Sequence, residues 1–334
     1  MNRARLLLLV LPASIIIILA GGYSAWWYQL AAAWRDGLAA WAGEMNAAGW
    51  RVGTGRVAVS GYPGTLHLVL PEPSLADASG DSWQGPPMTV VVSPFAPTRP
   101  HLSAPGRHRI ALAGGAPADL VAAAAAADLR LDGRRIAALS LDLSGVAAGP
   151  THLGHLAGSL RRLVFDPAPR STPTVALVVS VDDLDLPDDR RLVLGHHLSS
   201  AQMQLRLMGS LPSLPLRPAL TAWRDDGGTL EIDALSLRWP PVGLVATGTL
   251  ALDADMQPML ASTCTIRGLF DAIDALTKAG SVPPKDAGLA KMVLALLSKP
   301  AADGGKEWTL PVTVQSRTVY LGPAALMKVP AVTW

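Results

Sequence analysis

The sequence predicts a mainly β protein of the β-rich α+β kind, in which an N-terminal transmembrane helix precedes a large curved antiparallel sheet. A long uncharged segment opens the chain, most later segments alternate apolar and polar residues, and two helical patterns lie near the end. Period-two alternation sends successive side chains to opposite faces of a sheet, whereas apolar residues three and four apart share one face of a helix. We expect the sheet to form an open barrel or a sandwich.

The composition limits the kinds of partner and chemistry. Half of the 334 residues are apolar and 16% are charged, whereas about a quarter are charged in ordinary soluble domains. The formal net charge is +2 and the basic residues do not cluster, so we expect no nucleic-acid partner. Cys264 is the only cysteine, which excludes an intrachain disulfide; within "STCTI" it reads as a small buried residue.

The excess of apolar residues begins at the N-terminus. The segment 6–28 is uncharged and would rise about 35 Å as a helix, enough to cross a hydrocarbon core about 30 Å thick. Arg3 and Arg5 precede it, so the positive-inside rule makes residues 1–5 a cytoplasmic tail. The sequence therefore predicts a single-pass membrane protein with its N-terminus in the cytoplasm and its body outside.

A cleaved signal peptide is the alternative interpretation of this segment, because small residues follow the apolar run at 20–22. The anchor is favoured because the helical pattern continues through Trp34, Leu38, Trp41 and Met45 without a polar cleavage region. We therefore expect a transmembrane signal anchor over 6–28, a juxtamembrane helix over 29–48 and one continuous β-rich domain over 49–334.

Aromatic residues cluster where the predicted span ends. Trp26, Trp27, Tyr28 and Trp34 follow the apolar run, and amphipathic rings favour the headgroup layer of a membrane. The sequence predicts that these four residues form a membrane-interface belt.

The body contains repeated hairpin signals. Alternating residues flank the Gly-Tyr-Pro-Gly turn at 61–64 and the Asp132-Gly133 turn, and a two-residue Asp-Gly loop is a strong hairpin signal. The alanine-rich segment 117–129 favours a helix by propensity, yet it leads directly into a predicted strand, so strand or irregular structure is the preferred interpretation.

One alternating stretch, 242–252, raises the question of what covers its apolar face. Val242, Leu244, Leu250 and Leu252 fall on one parity, whereas Thr247 and other polar residues fall on the opposite parity. These four are the candidate lining of an apolar groove. Ordinary packing inside a β core is the competing interpretation, because the same residues would serve either purpose.

Two helical patterns are predicted after the last long strands, as a hairpin over about 268–299. The first places Leu269, Ile273 and Leu276 on one face, and the second places Leu289 and Leu296 on another together with 292, 293 and 297. We expect this hairpin to cap an open end of the sheet.

No motif for catalysis, a cofactor or a metal is present in the sequence. It contains no phosphate-binding loop, no nucleophile elbow and no zinc-protease signature. His152 and His155, the pair at 196–197 and the aspartates of 182–189 read as surface groups rather than zinc or calcium ligands. We therefore name no catalytic, cofactor or metal residue and expect a non-enzymatic protein.

Several segments, in order, resemble the bacterial domain-of-unknown-function 2125 family. They are "GGYSAWW", "VSGYPGTLHLVLPEPSL", "ALSLRWPPVGLVATGTLALDADMQP", "IRGLFDAIDALTKAG" and "LPVTVQSRTVYLGPAALMKVP". The last hairpin departs from the expected Asp-Gly, because Ser316 and Arg317 stand there. The succession of sheet and helix is also similar to AsmA-like envelope proteins, and that likeness implies an apolar groove for phospholipid tails.

The resemblance to a bacterial family implies that the predicted anchor crosses the bacterial inner membrane and that the body is periplasmic. Two functions remain open from the sequence. The first is a non-enzymatic envelope protein that binds or shields membrane lipid along the alternating strands. The second is a tethered assembly or interaction factor that pairs an exposed sheet edge with another envelope protein and binds no lipid.

Overall fold

The computed structural model describes residues 3–133, 135–165, 167–188, 192–212, 215–300, 305–332 and 334, with side chains from residue 14 onward. With 50% strand and 22% helix, the mainly β class is confirmed, and the pairings between strands are antiparallel. The chain divides into two units, Met1–Arg135 and Ile136–Trp334, where the sequence led us to expect one.

The first unit begins with one unbroken helix that covers both the predicted span and the predicted juxtamembrane helix. The alanine-rich segment lies in its longest strand, as the sequence favoured. Its elements are α1 (Arg3–Ala47), β1 (Arg51–Gly53), β2 (Ala58–Ser60), β3 (Leu66–Leu70), β4 (Ser74–Ala76), β5 (Ser82–Gln84), β6 (Met88–Ser93), β7 (Ala96–Ser103), β8 (Gly106–Ala111) and β9 (Ala118–Asp132).

The short strands of this unit are halves of longer strands that break in neighbouring positions. β2 pairs with β3, β3 with β6 and β6 with β7, while β1 pairs with β4, β4 with β5 and β5 with β8. Prolines at 71, 73, 86, 87 and 105 stand in three of these breaks, where they interrupt the ladder because they have no N–H. The fourth break contains Gly55, where an added Cβ would lie 2.8 Å from Pro71 Cγ.

The core of the first unit forms where α1 lies on β3 and β6. The predicted alternation of the first hairpin is confirmed, since Leu66, Leu68 and Leu70 are buried and Val92 joins them from β6. From α1, the buried cluster takes Trp27, Leu30 and Ala31. The C-terminal half of α1 is therefore part of a folded unit.

The second unit carries long strands and three helices among its described residues. Its elements are β10 (Arg135–Ala148), β11 (Thr151–Arg162), β12 (Pro173–Asp185), β13 (His197–Met208), α2 (Leu216–Asp225), β14 (Thr229–Trp239), β15 (Val242–Leu252), β16 (Pro258–Arg267), α3 (Leu269–Lys278), α4 (Pro284–Leu297), β17 (Lys299–Pro300), β18 (Lys306–Gln315), β19 (Thr318–Leu321) and β20 (Ala324–Lys328).

The long strands pair in chain order. β10 to β16 form an antiparallel meander, β18 pairs with β16 and β17, and β19 and β20 follow. Within the described part of this unit no pairing joins β20 to β10, so this sheet is open rather than a closed barrel.

The predicted helical hairpin is confirmed as α3 and α4, but the packing expected for α4 is wrong. Ala287 is buried, and Trp308 of β18 donates its indole N–H to the Leu294 carbonyl oxygen at 2.7 Å. The predicted apolar face of α4 points to solvent instead, with Leu296 83% and Met292 65% exposed. The side of α4 that packs instead carries Ala287, Lys291 and Leu294, which are buried or half-buried.

The short helix α2 was missed in the sequence. Leu216, Leu220 and Trp223 are spaced i, i+4 and i+7, but the segment begins next to prolines and spans under three turns. Trp223 is buried and Leu216, on the same face, is 59% exposed, so the C-terminal part of this helix packs on the core whereas its first residue does not.

The last hairpin has an unusual turn. Gln315 pairs with Thr318, and the two residues between them, Ser316 and Arg317, have φ values of 47° and 60°. Two positive φ angles in a two-residue loop are the geometry of a type I′ turn, which favours Asn-Gly. The hairpin therefore forms without the expected residues, and the positive φ angles of Ser316 and Arg317 raise the free energy of the folded state.

We expect the double substitution Ser316→Asn and Arg317→Gly to stabilise the protein by about 1 kcal/mol, because both new residues tolerate left-handed backbone. The thermal unfolding midpoint of the full chain, followed by circular dichroism, should rise. Gly322→Ala is the matched control: this glycine also has a positive φ of 56° with open space around its Cα, so alanine should lower the midpoint. An unchanged midpoint in the double variant would contradict the strain assignment.

Candidate functional site

The four predicted groove residues lie on one face of β15. Leu244 stands opposite Leu237 and Ile266, and Leu250 stands opposite Leu230 and Leu260. Directly opposed residues of an antiparallel pair project to the same side of the sheet.

The remaining two predicted residues lie towards the ends of the same strand. Val242 is half-buried opposite Trp239, whereas Leu252 is 6% exposed and packs with Trp223 and Met256. The structure therefore brings the quartet onto one surface, with Leu252 in the core at one end.

This surface continues over eight neighbouring strands in straight rows. One row passes through opposed residues of five strands: Leu139, Leu160, Leu177, Leu205 and Ile232. With about 4.8 Å between strands, eight strands extend for about 34 Å. We call this surface the apolar face; its members are Leu139, Leu141, Leu143, Leu156, Leu160, Val175, Leu177, Val179, Val181, Ala201, Met203, Leu205, Leu207, Leu230, Ile232, Leu235, Leu237, Val242, Leu244, Ala246, Leu250, Leu252, Leu260, Cys264, Ile266, Trp308, Leu310 and Val314.

A bulge in β14 keeps the rows aligned. Ile232 stands opposite Gly248 and Leu235 opposite Ala246, so one extra residue is accommodated between them. Without it, Leu235 and Leu237 would point to the other face, because one residue of shift reverses the alternation.

An ion pair on the opposite face holds this bulge. Arg206 of β13 donates hydrogen bonds to both carboxylate oxygens of Asp233, one of them at 2.6 Å. This guanidinium lowers the pKa of the Asp233 carboxyl below its usual range.

Tryptophans fix helices over the two ends of the apolar face. At one end Trp223 of α2 packs with Leu207, Leu230 and Leu252, and its indole N–H bonds the Met208 carbonyl oxygen at 2.8 Å. Backbone passes close beside this ring, since a Cβ on Gly228 would lie 2.2 Å from its Nε1.

At the other end Trp308 is 1% exposed and meets Phe270 of α3 edge-on, with ring centroids 5.2 Å apart. The helical hairpin therefore contacts this end of the sheet mainly through Trp308 of β18, which touches both α3 and α4.

The middle of the apolar face is only half-buried. Val179, Met203 and Leu235 are partly exposed, and Leu141 and Leu160 are 38% and 37% exposed. In the described part of the chain, neither buried core cluster includes a side chain from β10, β11 or β12. An apolar surface of this extent is unusual on a soluble monomer.

The opposite face of the same sheet is polar and carries histidine–aspartate pairs that the sequence did not reveal. His155 lies 2.9 Å from Asp142 and 3.8 Å from Asp182, and His197 lies 2.8 Å from Asp185. The Asp142 hydrogen bond is the main cause that raises the pKa of His155. Of the aspartates singled out in the sequence, Asp182 and Asp185 are thus partners of histidines on adjacent strands, and Asp189 lies outside the described residues.

No metal centre or catalytic cluster emerges within the described residues. No three His, Cys, Asp or Glu side chains come together there in a metal-binding arrangement, and Cys264 is buried, as expected. A cavity of about 510 Å³ in the first unit is lined by residues that include Asn46, Arg51, Trp83 and Gln84, without the convergent carboxylates or histidines of acid–base catalysis.

The four predicted belt residues separate into two pairs. Trp27 is 3% exposed and donates its indole N–H to the Gly64 carbonyl oxygen at 2.8 Å, and Trp34 packs against the same core. Trp26 and Tyr28 are 46% and 59% exposed. Only the second pair has rings on the surface of the first unit.

Residues 26–330 match the model of a bacterial family described as an uncharacterized protein conserved in bacteria, DUF2125. The chain belongs to this family. Neither the curated proteins nor the solved structures contain a match. The predicted family is therefore confirmed, and the match covers both units, while the likeness of this DUF2125 protein to AsmA-like proteins stays a prediction.

Sequence reasoning found one strand of the apolar face of this DUF2125 protein but not its centre. Val179, Met203 and Leu235 lie in alternating segments too, so their parity was available. What the sequence lacked was the register that aligns these strands.

We expect Asp233→Asn to destabilise the protein near neutral pH, because it weakens the Arg206 pair that holds the bulge. A carboxyl with a lowered folded pKa contributes stability above its unfolded pKa of about 3.9, and this is lost as pH falls through the folded pKa. The difference in unfolding free energy between wild type and variant should therefore be largest above about pH 5 and shrink in acid. Asp226→Asn, an exposed aspartate after α2, is the control, and an equal pH profile for both variants would contradict the assignment.

Proposed function

We propose that this DUF2125 protein is a membrane-anchored, non-enzymatic protein of the bacterial envelope that holds lipid acyl chains on its apolar face. Its N-terminus would lie in the cytoplasm, the N-terminal part of α1 would cross the inner membrane, and the rest of the chain would be periplasmic. The half-buried centre of the apolar face carries this proposal.

The chemistry of the face supports acyl chains as its ligand. Its side chains are overwhelmingly leucine, valine and isoleucine. Arg162, opposite Val175 in β12, brings a charged group to the end of one row. Burial of such side chains is favourable without directional bonds, so flexible hydrocarbon tails of different length can be accommodated. The helices anchored by Trp223 and Trp308 close the ends of the strands and leave the middle to the ligand.

The candidate membrane helix supports the location. The described part of α1 includes a stretch long and apolar enough to span a membrane, Ser14–Ala47. Within it, residues Ile15 to Leu19 are between 49% and 71% exposed. The apolar face would then belong to a protein that is anchored in a membrane, and the membrane would supply the lipid.

Lipid binding is tested by two matched double variants of the full chain. Leu244→Asp with Val179→Asp places carboxylates on the apolar face, while Val245→Asp with Val178→Asp places them one residue away on the opposite face, where both valines are already exposed. Lipid retained after purification from membranes should be counted by mass spectrometry. We expect the first variant to retain less than about a tenth of the lipid that the wild type retains, since two apolar contacts are replaced by charges. The control variant should retain as much lipid as the wild type.

Circular dichroism must show that both variants are folded. If wild-type protein retains no lipid, or if the two folded variants retain equal amounts, the proposal is wrong. A variant that unfolds outright is replaced by Leu141→Asn, whose side chain is 38% exposed, with Val178→Asn as its control.

A second candidate function is a tethered interaction factor that pairs an exposed sheet edge with another envelope protein. All five residues of β20 are exposed, with Leu326 at 59% and Met327 at 60%. Natural edge strands are usually blunted by charge or proline because an open apolar edge invites pairing.

We expect Leu326→Lys to abolish a stoichiometric protein partner if β20 is the docking edge, because a charge at an edge opposes strand addition. Cross-linking of the full chain in its membrane, followed by affinity purification, measures the partner. Leu112→Lys, at a 65% exposed leucine of the first unit, is the control. Capture that is equal in both variants would exclude β20 as the edge.

A further inference from the structure

Two hairpin tips of the first unit enclose α1 directly after its exposed aliphatic stretch. The first tip lies between β2 and β3: the Tyr23 hydroxyl donates to the Pro63 carbonyl oxygen, and the Ser24 and Tyr62 hydroxyls lie 2.6 Å apart. One turn later, Trp27 bonds Gly64. These bonds fix the tip to the helix at residues 23–27.

The second tip, between β6 and β7, lies beside the first because β3 and β6 are paired, with Leu66 opposite Val92. Its Phe95 ring stacks on Tyr23 with ring centroids 6.3 Å apart. Tyr62 in turn stacks on Tyr28 at 5.4 Å. Two hairpin turns and one helix thus share a single aromatic cluster.

Much of this cluster faces outward. Phe95 is 86% exposed, Tyr28 59%, and Tyr62 and Trp26 each 46%. We call these four residues, together with Tyr23, the aromatic collar. The collar uses three of the chain's 4 tyrosines, and neither tip, 61–65 or 93–97, contains a charged residue. Glycine and proline are ordinary turn residues, but a cluster of exposed aromatic rings is an apolar patch of the kind that marks an interaction surface.

We propose that the aromatic collar lies in the headgroup layer of the bilayer that α1 crosses, so that both hairpin tips contact the membrane. This inference rests on the membrane anchorage in the proposed function. It follows from continuity: the exposed residues Ile15 to Leu19 precede the collar on the same helix by about one turn, and tyrosine and tryptophan favour the interface between hydrocarbon and water.

The collar shortens the part of α1 that would lie in the hydrocarbon core of the membrane. Hydrocarbon would extend to about Gly22 rather than to Tyr28, because Tyr23 already bonds a hairpin of the folded unit. The remaining run from Leu6 to Gly22 rises about 25 Å, near the lower end of the lengths that cross a bilayer. The first unit is therefore held against the membrane surface instead of standing away from it on a flexible stalk.

Spin labels measure this depth in the full chain, reconstituted in vesicles of phosphatidylethanolamine and phosphatidylglycerol. Cys264→Ala removes the native thiol, and a nitroxide is attached at Phe95→Cys, at Ile17→Cys or at Leu112→Cys. Leu112 is the matched control because it is 65% exposed. It follows β8 whereas Phe95 precedes β7, so the two residues stand at opposite ends of the long strand that β7 and β8 form. Collision rates with oxygen and with a water-soluble nickel chelate report how deep each label lies.

We expect the ratio of oxygen to nickel collisions at 95 to be severalfold higher than at 112 and lower than at 17. A ratio at 95 equal to that at 112, with a high ratio at 17, would overturn the collar while membrane anchorage stands. A water-like ratio at 17 would overturn anchorage and the collar together. Since Phe95 is almost fully exposed, its replacement leaves the core intact, and circular dichroism verifies this.

Discussion

A sheet with one apolar face and one polar face must have its apolar face covered, and the second unit depends on how that is done. Helices and sheets bury such faces against another layer. Here α2 lies over one end of the strands and α3 with α4 over the other, each linked to the sheet through a buried tryptophan. The layer is thus supplied at the ends, where it holds the sheet, and the centre of the face stays half-buried.

Register decides whether this face exists. The rows pass straight through the bulge in β14 because Asp233 occupies the extra position and Arg206 binds it from the polar face. The polar face, with its hydrogen-bonded pairs, therefore specifies the alignment of an apolar face that has no directional bonds of its own.

The sequence predicts what depends on local pattern. Alternation was enough for the buried leucines of β3 and for the parity of β15, and spacing was enough for α3 and α4. Contacts between distant segments were not accessible: Trp27 carries the same local signal as Trp26, yet it bonds Gly64 of a hairpin. The apolar side of α4 was predicted correctly as a face, but it is exposed. An amphipathic pattern identifies an apolar face and does not show that the same chain covers it.

The two surfaces assigned to lipid differ in chemistry in a way that fits their separate roles. The aromatic collar carries hydroxyl groups and rings that are already bonded within the first unit, which makes it rigid and suited to a fixed depth at a membrane interface. The apolar face carries mainly aliphatic side chains, which suits mobile hydrocarbon. Because Tyr23 and Trp27 of α1 bond the first hairpin tip, the helix and the first unit are one structure, and the proposed contact of the collar with the headgroup layer would hold that unit next to the membrane.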